Sequence, residues 1–161
     1  QAGPYGVVAA AALPGAKLFH EGQFEGRRVK LPVFLRRRQD EPPDEGLRSF
    51  YRTLLRFLRA DDLRSGEWSL CERRGWPDNQ TFMNLLAWCW RKDDKRHLIV
   101  ANLSPADAQG EVMLPWNDLT GRSWRLADVI SGEVFDRHGD ELSKRGLYVD
   151  LDAWKFHVLK F

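Results

Sequence analysis

The chain has 161 residues, 43% of them hydrophobic and 12% aromatic, enough for one sizeable core with a lead-in segment rather than several domains. Its 25 Lys and Arg offset 23 Asp and Glu to a formal charge of +2, and Arg36, Arg37 and Arg38 run straight into Asp40, Glu41, Asp44 and Glu45, so no basic stripe for nucleic acid forms. No stretch approaches the roughly 20 apolar residues that cross a bilayer, and the run Tyr5–Leu13 has no Lys or Arg ahead of it, so neither a membrane helix nor a signal peptide is expected.

Tyr5–Leu13 is rich in Ala and Val and stops at the turn dipeptide Pro14-Gly15, which suits a small-residue helix packed closely on a neighbour. Lys17–His20 is a short apolar run feeding the Gly-punctuated loop Glu21–Gly26, and it reads as a buried strand whose partners lie elsewhere. After Pro42-Pro43, Asp44 is a good N-cap. Leu47, Phe50, Tyr51, Leu54, Leu55 and Leu58 then fall at the spacing of an amphipathic helix, with Arg48, Arg52, Arg56 and Arg59 on a solvated face.

From Glu67 the pattern changes to short strands between turn clusters. Strands are predicted at Glu67–Glu72 and Phe82–Arg91, with a loop at Gly75–Gln80 between them. In the second strand Leu86, Trp88 and Trp90 share one face while Leu85, Ala87 and Cys89 share the other, which predicts an interior strand covered on both sides. Lys92–Lys95 has the composition of a hairpin turn, and His97–Leu103 returns. Further strands are expected at Glu111–Leu114, Ser123–Ala127, Glu133–Asp136, Leu147–Leu151 and Ala153–Phe161, a spacing that suits an antiparallel Greek-key β-sandwich.

Few motifs carry chemistry. His20, His97, His138 and His157 show no ligand spacing, and Asp136–Glu141 lacks the order of a calcium loop and reads as a hairpin turn, so neither metal nor cofactor is expected. Cys71 and Cys89 are too few for a disulfide framework and lack C-x-x-C spacing. They could face each other on paired strands, but buried free thiols are favoured, which leans towards the cytoplasm. Of seven tryptophans, Trp88, Trp90 and Trp124 sit at strand positions that favour the core. Trp76, with Asp78 and Asn79 able to bond hydroxyls, is the first candidate for sugar contact, and Trp116 the second.

The run Ala9–Glu25, AAAALPGAKLFHEGQFE, resembles the last helix-to-strand step of the catalytic barrel in the α-amylase superfamily, glycoside hydrolase family 13. There an Ala-rich helix, a Leu-Pro-Gly turn and a short eighth strand lead into an acidic, Gly-containing loop; this chain departs at the two Tyr positions usual in that strand, where it has His20 and Glu21. Val100-Ala101-Asn102-Leu103-Ser104 is similar to a strand ending of the family's C-terminal sandwich. The resemblance implies two parts: residues 1–62 as the end of a (β/α)8 barrel with its last strand and helix, and residues 63–161 as the sandwich.

Members of this family cleave or transfer α-glucosidic bonds with retention, using an Asp nucleophile, a Glu acid/base and a further Asp after strands four, five and seven, since the chemistry needs carboxylates at fixed separation. All three positions would precede Gln1, so the chain alone is expected to be inactive, a non-catalytic region stabilising the barrel of an enzyme that acts on α-glucan. His20, Glu21 and Gln23 are the residues expected to line the substrate cleft of the intact parent. Apolar surface around Val7–Leu13 and Leu31–Leu35 is expected to be left uncovered, leading to self-association. The alternative is a carbohydrate-binding module or a stand-alone interaction domain.

Overall fold

The computed structural model describes residues 4–29, 34, 40–59, 63 and 65–161. Its helices are α1 (Pro4–Ala12), α2 (Glu45–Leu58) and α3 (Gly139–Arg145), with a 3₁₀ turn at Thr81–Asn84. Its strands are β1 (Glu67–Leu70), β2 (Arg73–Arg74), β3 (Leu85–Lys92), β4 (Lys95–Asn102), β5 (Ala108–Val112), β6 (Ser123–Asp128), β7 (Val134–His138), β8 (Leu147–Leu151) and β9 (Phe156–Lys160). They form a six-stranded sheet in the order β1-β3-β4-β9-β6-β7 and a three-stranded sheet in the order β2-β5-β8. Every ladder among the described residues is antiparallel.

Alternation along β3 explains why the large sheet lies in the middle of the molecule. Leu85, Ala87 and Cys89 point into a core shared with Val112, Leu147, Val149 and Leu151 of the small sheet, the interior of the sandwich. Trp88 and Trp90 point the other way, into a second core with Val8, Ala11 and Ala12 of α1, Leu54 and Phe57 of α2, and Ile99 and Val158 of the same sheet. The strand is interior and covered on both faces, as its two apolar faces predict.

Helix α2 follows its sequence pattern. The Asp44 carboxylate accepts from the Leu47 N–H at 2.9 Å, closing the first turn. Tyr51, Leu54 and Phe57 are buried, while Arg52, Arg56 and Arg59 face solvent. The C-terminal end of α1 is closed from outside: the indole N–H groups of Trp88 and Trp90 both donate to the Ala12 carbonyl, at 3.1 and 2.9 Å.

Four expectations are corrected. Lys17–His20 is not a strand: no ladder reaches it among the described residues, and Leu18 is 96% exposed. Within Val7–Leu13, Val8, Ala11 and Ala12 are buried against the outer face of the large sheet, so that stretch is not an uncovered apolar surface; of Leu31–Leu35 only Phe34 is described, and it is 92% exposed. Asp136–Glu141 is no hairpin turn but the end of β7 followed by the start of α3, whose Leu142 plugs the sandwich core. Trp116 is buried at 5% exposure and stacks edge-on against Phe161, which removes it as a sugar contact.

Candidate functional site

The loop after α1 turns on Gly22 and Gly26, both in the left-handed region, with φ of +82° and +68°. Gln23 is its anchor. Its Oε1 accepts from the His20 backbone N–H at 3.2 Å, and its Nε2 donates to the Tyr51 hydroxyl at 2.8 Å. Phe24 packs on the Tyr51 ring at 4.8 Å, and the Asp44 N–H donates to the Glu25 carbonyl, tying the loop to the start of α2. His20 and Glu21 are thereby held on the exposed side of the turn, and the His20 ring nitrogen Nδ1 lies 3.1 Å from the Glu21 carbonyl oxygen. The three residues proposed from sequence therefore sit together, Gln23 as support and His20 and Glu21 outward.

Trp76, Asp78 and Asn79 share one tight turn, closed by paired backbone hydrogen bonds between Trp76 and Asn79. The Asn79 carboxamide is engaged internally: its Oδ1 accepts from the Thr81 N–H and hydroxyl at 3.0 and 2.7 Å, and its Nδ2 donates to Gln109 at 3.4 Å. The Trp76 ring is half-buried and leans on Tyr148 at 6.1 Å. Asp78 alone of the three is exposed, and this turn lies over the small sheet, apart from the loop before α2.

A third place was not singled out from the sequence. An open groove of about 900 Å³ runs between Phe50 of α2, the β6–β7 turn at Ile130–Glu133 and the β8–β9 connection at Asp152–Lys155. The β8–β9 connection is firmly held. Asn102, fully buried, divides its Nδ2 donors among the carbonyls of Ala106, Leu151 and Asp152 at 2.7, 3.1 and 3.0 Å, while its Oδ1 accepts from Ser104. The Ala153 N–H donates to the Asp107 carboxylate, and the Trp154 N–H to the Ser104 carbonyl. Trp154 itself adopts φ +61°, rare for a bulky residue, and presents 39% of its surface to solvent.

The opposite wall of the groove is built on Asp128. Its Oδ1 accepts from the backbone N–H groups of Ile130 and Ser131, and its Oδ2 pairs with His157 Nδ1 at 2.8 Å. Burial opposes the charge of Asp128, but the hydrogen bonds from His157 and the two N–H groups outweigh it and hold the carboxyl below the usual Asp range. The signal that could have found this place was the Asp152–Trp154 turn following a β-strand, which is polar and aromatic at once but has no sequence motif.

Among the described residues no group of three or more His, Cys, Asp or Glu could hold a metal ion, and no helix is long and apolar enough to cross a membrane. Cys71 and Cys89 are both buried free thiols. The hydrogen bond between them, followed by burial, pushes the Cys71 thiol well above its ordinary range.

No protein-family model matches the sequence, and no curated protein matches it. Solved structures do match. A noncanonical maltogenic α-amylase from Thermotoga neapolitana superposes on 98% of this chain with a TM-score of 0.76 at 15% identity, over 36% of its own length. An α-amylase from Anoxybacillus matches 98% of this chain with a TM-score of 0.68 at 14% identity, over 31% of its length. An α-amylase from Geobacillus thermoleovorans, solved with acarbose, matches 98% of this chain with a TM-score of 0.68 at 15% identity, over 32% of its length. The chain thus spans about a third of the structures it matches. Its fold, antiparallel sheets with a few flanking helices, is that of one part of an α-amylase.

Proposed function

We propose that the chain is the C-terminal, non-catalytic region of an α-amylase-type glycoside hydrolase or glucanotransferase acting on α-glucans. Residues 1–62 supply the end of the barrel, with Lys17–His20, which pairs with nothing among the described residues, forming its last strand only beside the barrel's other strands, and residues 63–161 form a sandwich that stabilises it. The partner is then the remainder of the barrel in the same polypeptide, which supplies the catalytic carboxylates, and His20 and Glu21 face its cleft. Two buried reduced cysteines favour a cytoplasmic setting.

One observation carries this reading. Residues directly opposite each other on antiparallel strands share a face, and Trp68 and Leu70 of β1 lie opposite Trp90 and Trp88. They therefore extend the apolar face on which α1 and α2 pack, yet they are 38% and 58% exposed. A sheet that continues its helix-covered face into open tryptophan and leucine is suited to further helices of the same layer.

The experiment is to read the coding sequence upstream of Gln1 in frame. Barrel strands ending in the Asp, Glu and Asp of retaining α-glucosidic chemistry support the proposal, whereas a start codon within a few residues of Gln1 overturns it. Self-association of the separate chain through the uncovered face is expected as well, and sedimentation equilibrium across a wide concentration range checks it, strict monomer counting against it.

A further inference from the structure

We propose that strand β1 is a docking edge for a second copy of this chain, joined antiparallel about a two-fold axis at Ser69, so that the large sheets of two protomers run into one. The inference stands on the ladder geometry of β1 and holds whatever the rest of the polypeptide is.

The ladder shows which backbone groups are open. In an antiparallel pair the N–H and C=O of one residue point to the same neighbour, and those of the next residue point the other way. The Cys71 N–H donates to the Ala87 carbonyl of β3 at 2.9 Å, and Ser69, opposite Cys89, has the same phase. The N–H and C=O of Trp68 and Leu70 therefore point away from β3. Because β1 is the outermost strand of its sheet, they lie along an edge with no strand beyond it among the described residues.

Other edges are guarded by charge, which is how sheets discourage pairing. β7 carries Asp136 and Arg137, β8 carries Asp150, and β2 is a pair of arginines. Past Glu67, β1 offers only Trp68, Ser69 and Leu70.

Symmetry selects the occupant. With Ser69 on the axis, Trp68 of one protomer faces Leu70 of its partner, and Leu70 faces Trp68. These are the residues whose backbone groups point outward, so each pair can exchange both of its N–H to C=O hydrogen bonds. Their exposed side chains then lie side by side on one face, an apolar cross-strand pair that the axis repeats. An axis moved to Trp68 would instead leave Leu70 facing Gly66. Charge agrees with the first register: it brings Glu72 of the partner to the Gly66 end of β1, where Lys92 of β3 stands with its Nζ on the Ser65 hydroxyl at 2.7 Å. The pairing runs sideways while the side chains of Trp68 and Leu70 face the helix layer, so a copy at the edge leaves room for further helices on the face. The seam is short, well below the roughly 1,200 Å² of stable complexes, and the association is accordingly weak and reversible.

The test is amide hydrogen exchange by NMR on the 161-residue chain at rising concentration, beside sedimentation equilibrium. A dimer is expected in which the Trp68 and Leu70 amides slow about tenfold or more with concentration, while the Ser69 amide, already in the β3 ladder, changes little. Leu70→Pro removes an outward N–H and spares the β3 ladder, so it should abolish the dimer, whereas Leu70→Ala should only weaken it. If Leu70→Pro does not fold, Ser69→Lys and Ser69→Asp serve: each sets like charges face to face at the axis and should stay monomeric alone, and the two should pair when mixed. A strict monomer up to millimolar concentration, association that leaves the Trp68 and Leu70 amides exchanging freely, or a failure of the mixed Ser69 variants to pair would overturn the proposal. So would protection of these amides at every concentration, which would mean that the chain covers its own edge. The barrel reading is decided separately, by the frame upstream of Gln1.

Discussion

The indole N–H of Trp90 donates to the Ala12 carbonyl oxygen at 2.9 Å, across 78 residues of sequence. Trp88 donates to the same oxygen, so one strand of the sandwich caps the end of the helix laid over it. Each bond is worth about 1 kcal/mol net, and with one indole replaced the carbonyl keeps the other. Trp90→Phe and Trp88→Phe should each lose little more than that, while the double change leaves a buried carbonyl unpaired and should cost more than the sum. Urea unfolding of the four proteins measures this coupling, and simple additivity would mean that the shared oxygen finds another donor.

Gly139 opens α3 where the Leu119 backbone crosses it. A Cβ built there would lie 1.7 Å from the Leu119 carbonyl oxygen, and a backbone atom has no rotamer by which to yield. Gly139→Ala should therefore cost about 3 kcal/mol or more, or prevent folding. Gly121→Ala is the comparison, because no atom lies within 4 Å there and only its φ of +78° opposes the change, at about 1 kcal/mol. Thermal melts that rank the two in the opposite order would contradict the packing described.

Asp128 makes the acid limb of stability predictable in sign. Its folded carboxyl titrates below the usual Asp range, so its contribution is complete above the unfolded value, about 3.9, and is lost as pH falls through the lower folded one. Stability should fall with pH below about 4, and Asp128→Asn should be less stable at neutral pH with a flatter acid limb. Denaturation midpoints between acid and neutral pH check both statements.

Cys71 and Cys89 should resist a bulky disulfide reagent at pH 8 in the native protein, because both are buried and the Cys71 thiolate is disfavoured. Both should react at once in denaturant. Rapid native labelling of two thiols would mean that β1 and β3 separate readily.

How much of this was legible in the sequence depends on the kind of signal. Strand β3 shows apolar residues on both faces and was found with its faces correct, whereas on helix α2 the pattern gave Tyr51 and Leu54 but missed Phe57, which is buried while Leu47, Phe50, Leu55 and Leu58 are only half-buried. Strand β5 begins three residues before its expected start at Glu111, because Ala108, Gln109 and Gly110 have little strand preference and are placed by their pairing with β8. Helix α3 buries only Leu142 among its large side chains, and one apolar residue in seven gives no period to read. Lys17–His20 looked like a strand because composition reports burial, whereas a strand also needs a neighbour. The groove stayed invisible for a related reason: Phe50, Glu133 and Trp154 come from three distant stretches, and only the packing of α2 on the sheet unites them.

The order of the large sheet has a consequence for how the chain is made. β9, the last of these nine strands in chain order, lies between β4 and β6 and pairs with both. Until it leaves the ribosome, β1-β3-β4 and β6-β7 are two separate pieces, each with an unpaired edge facing the gap. This sheet is completed at its centre by the strand that comes latest in it, so a chain interrupted before β9 presents two open edges rather than a nearly finished sheet.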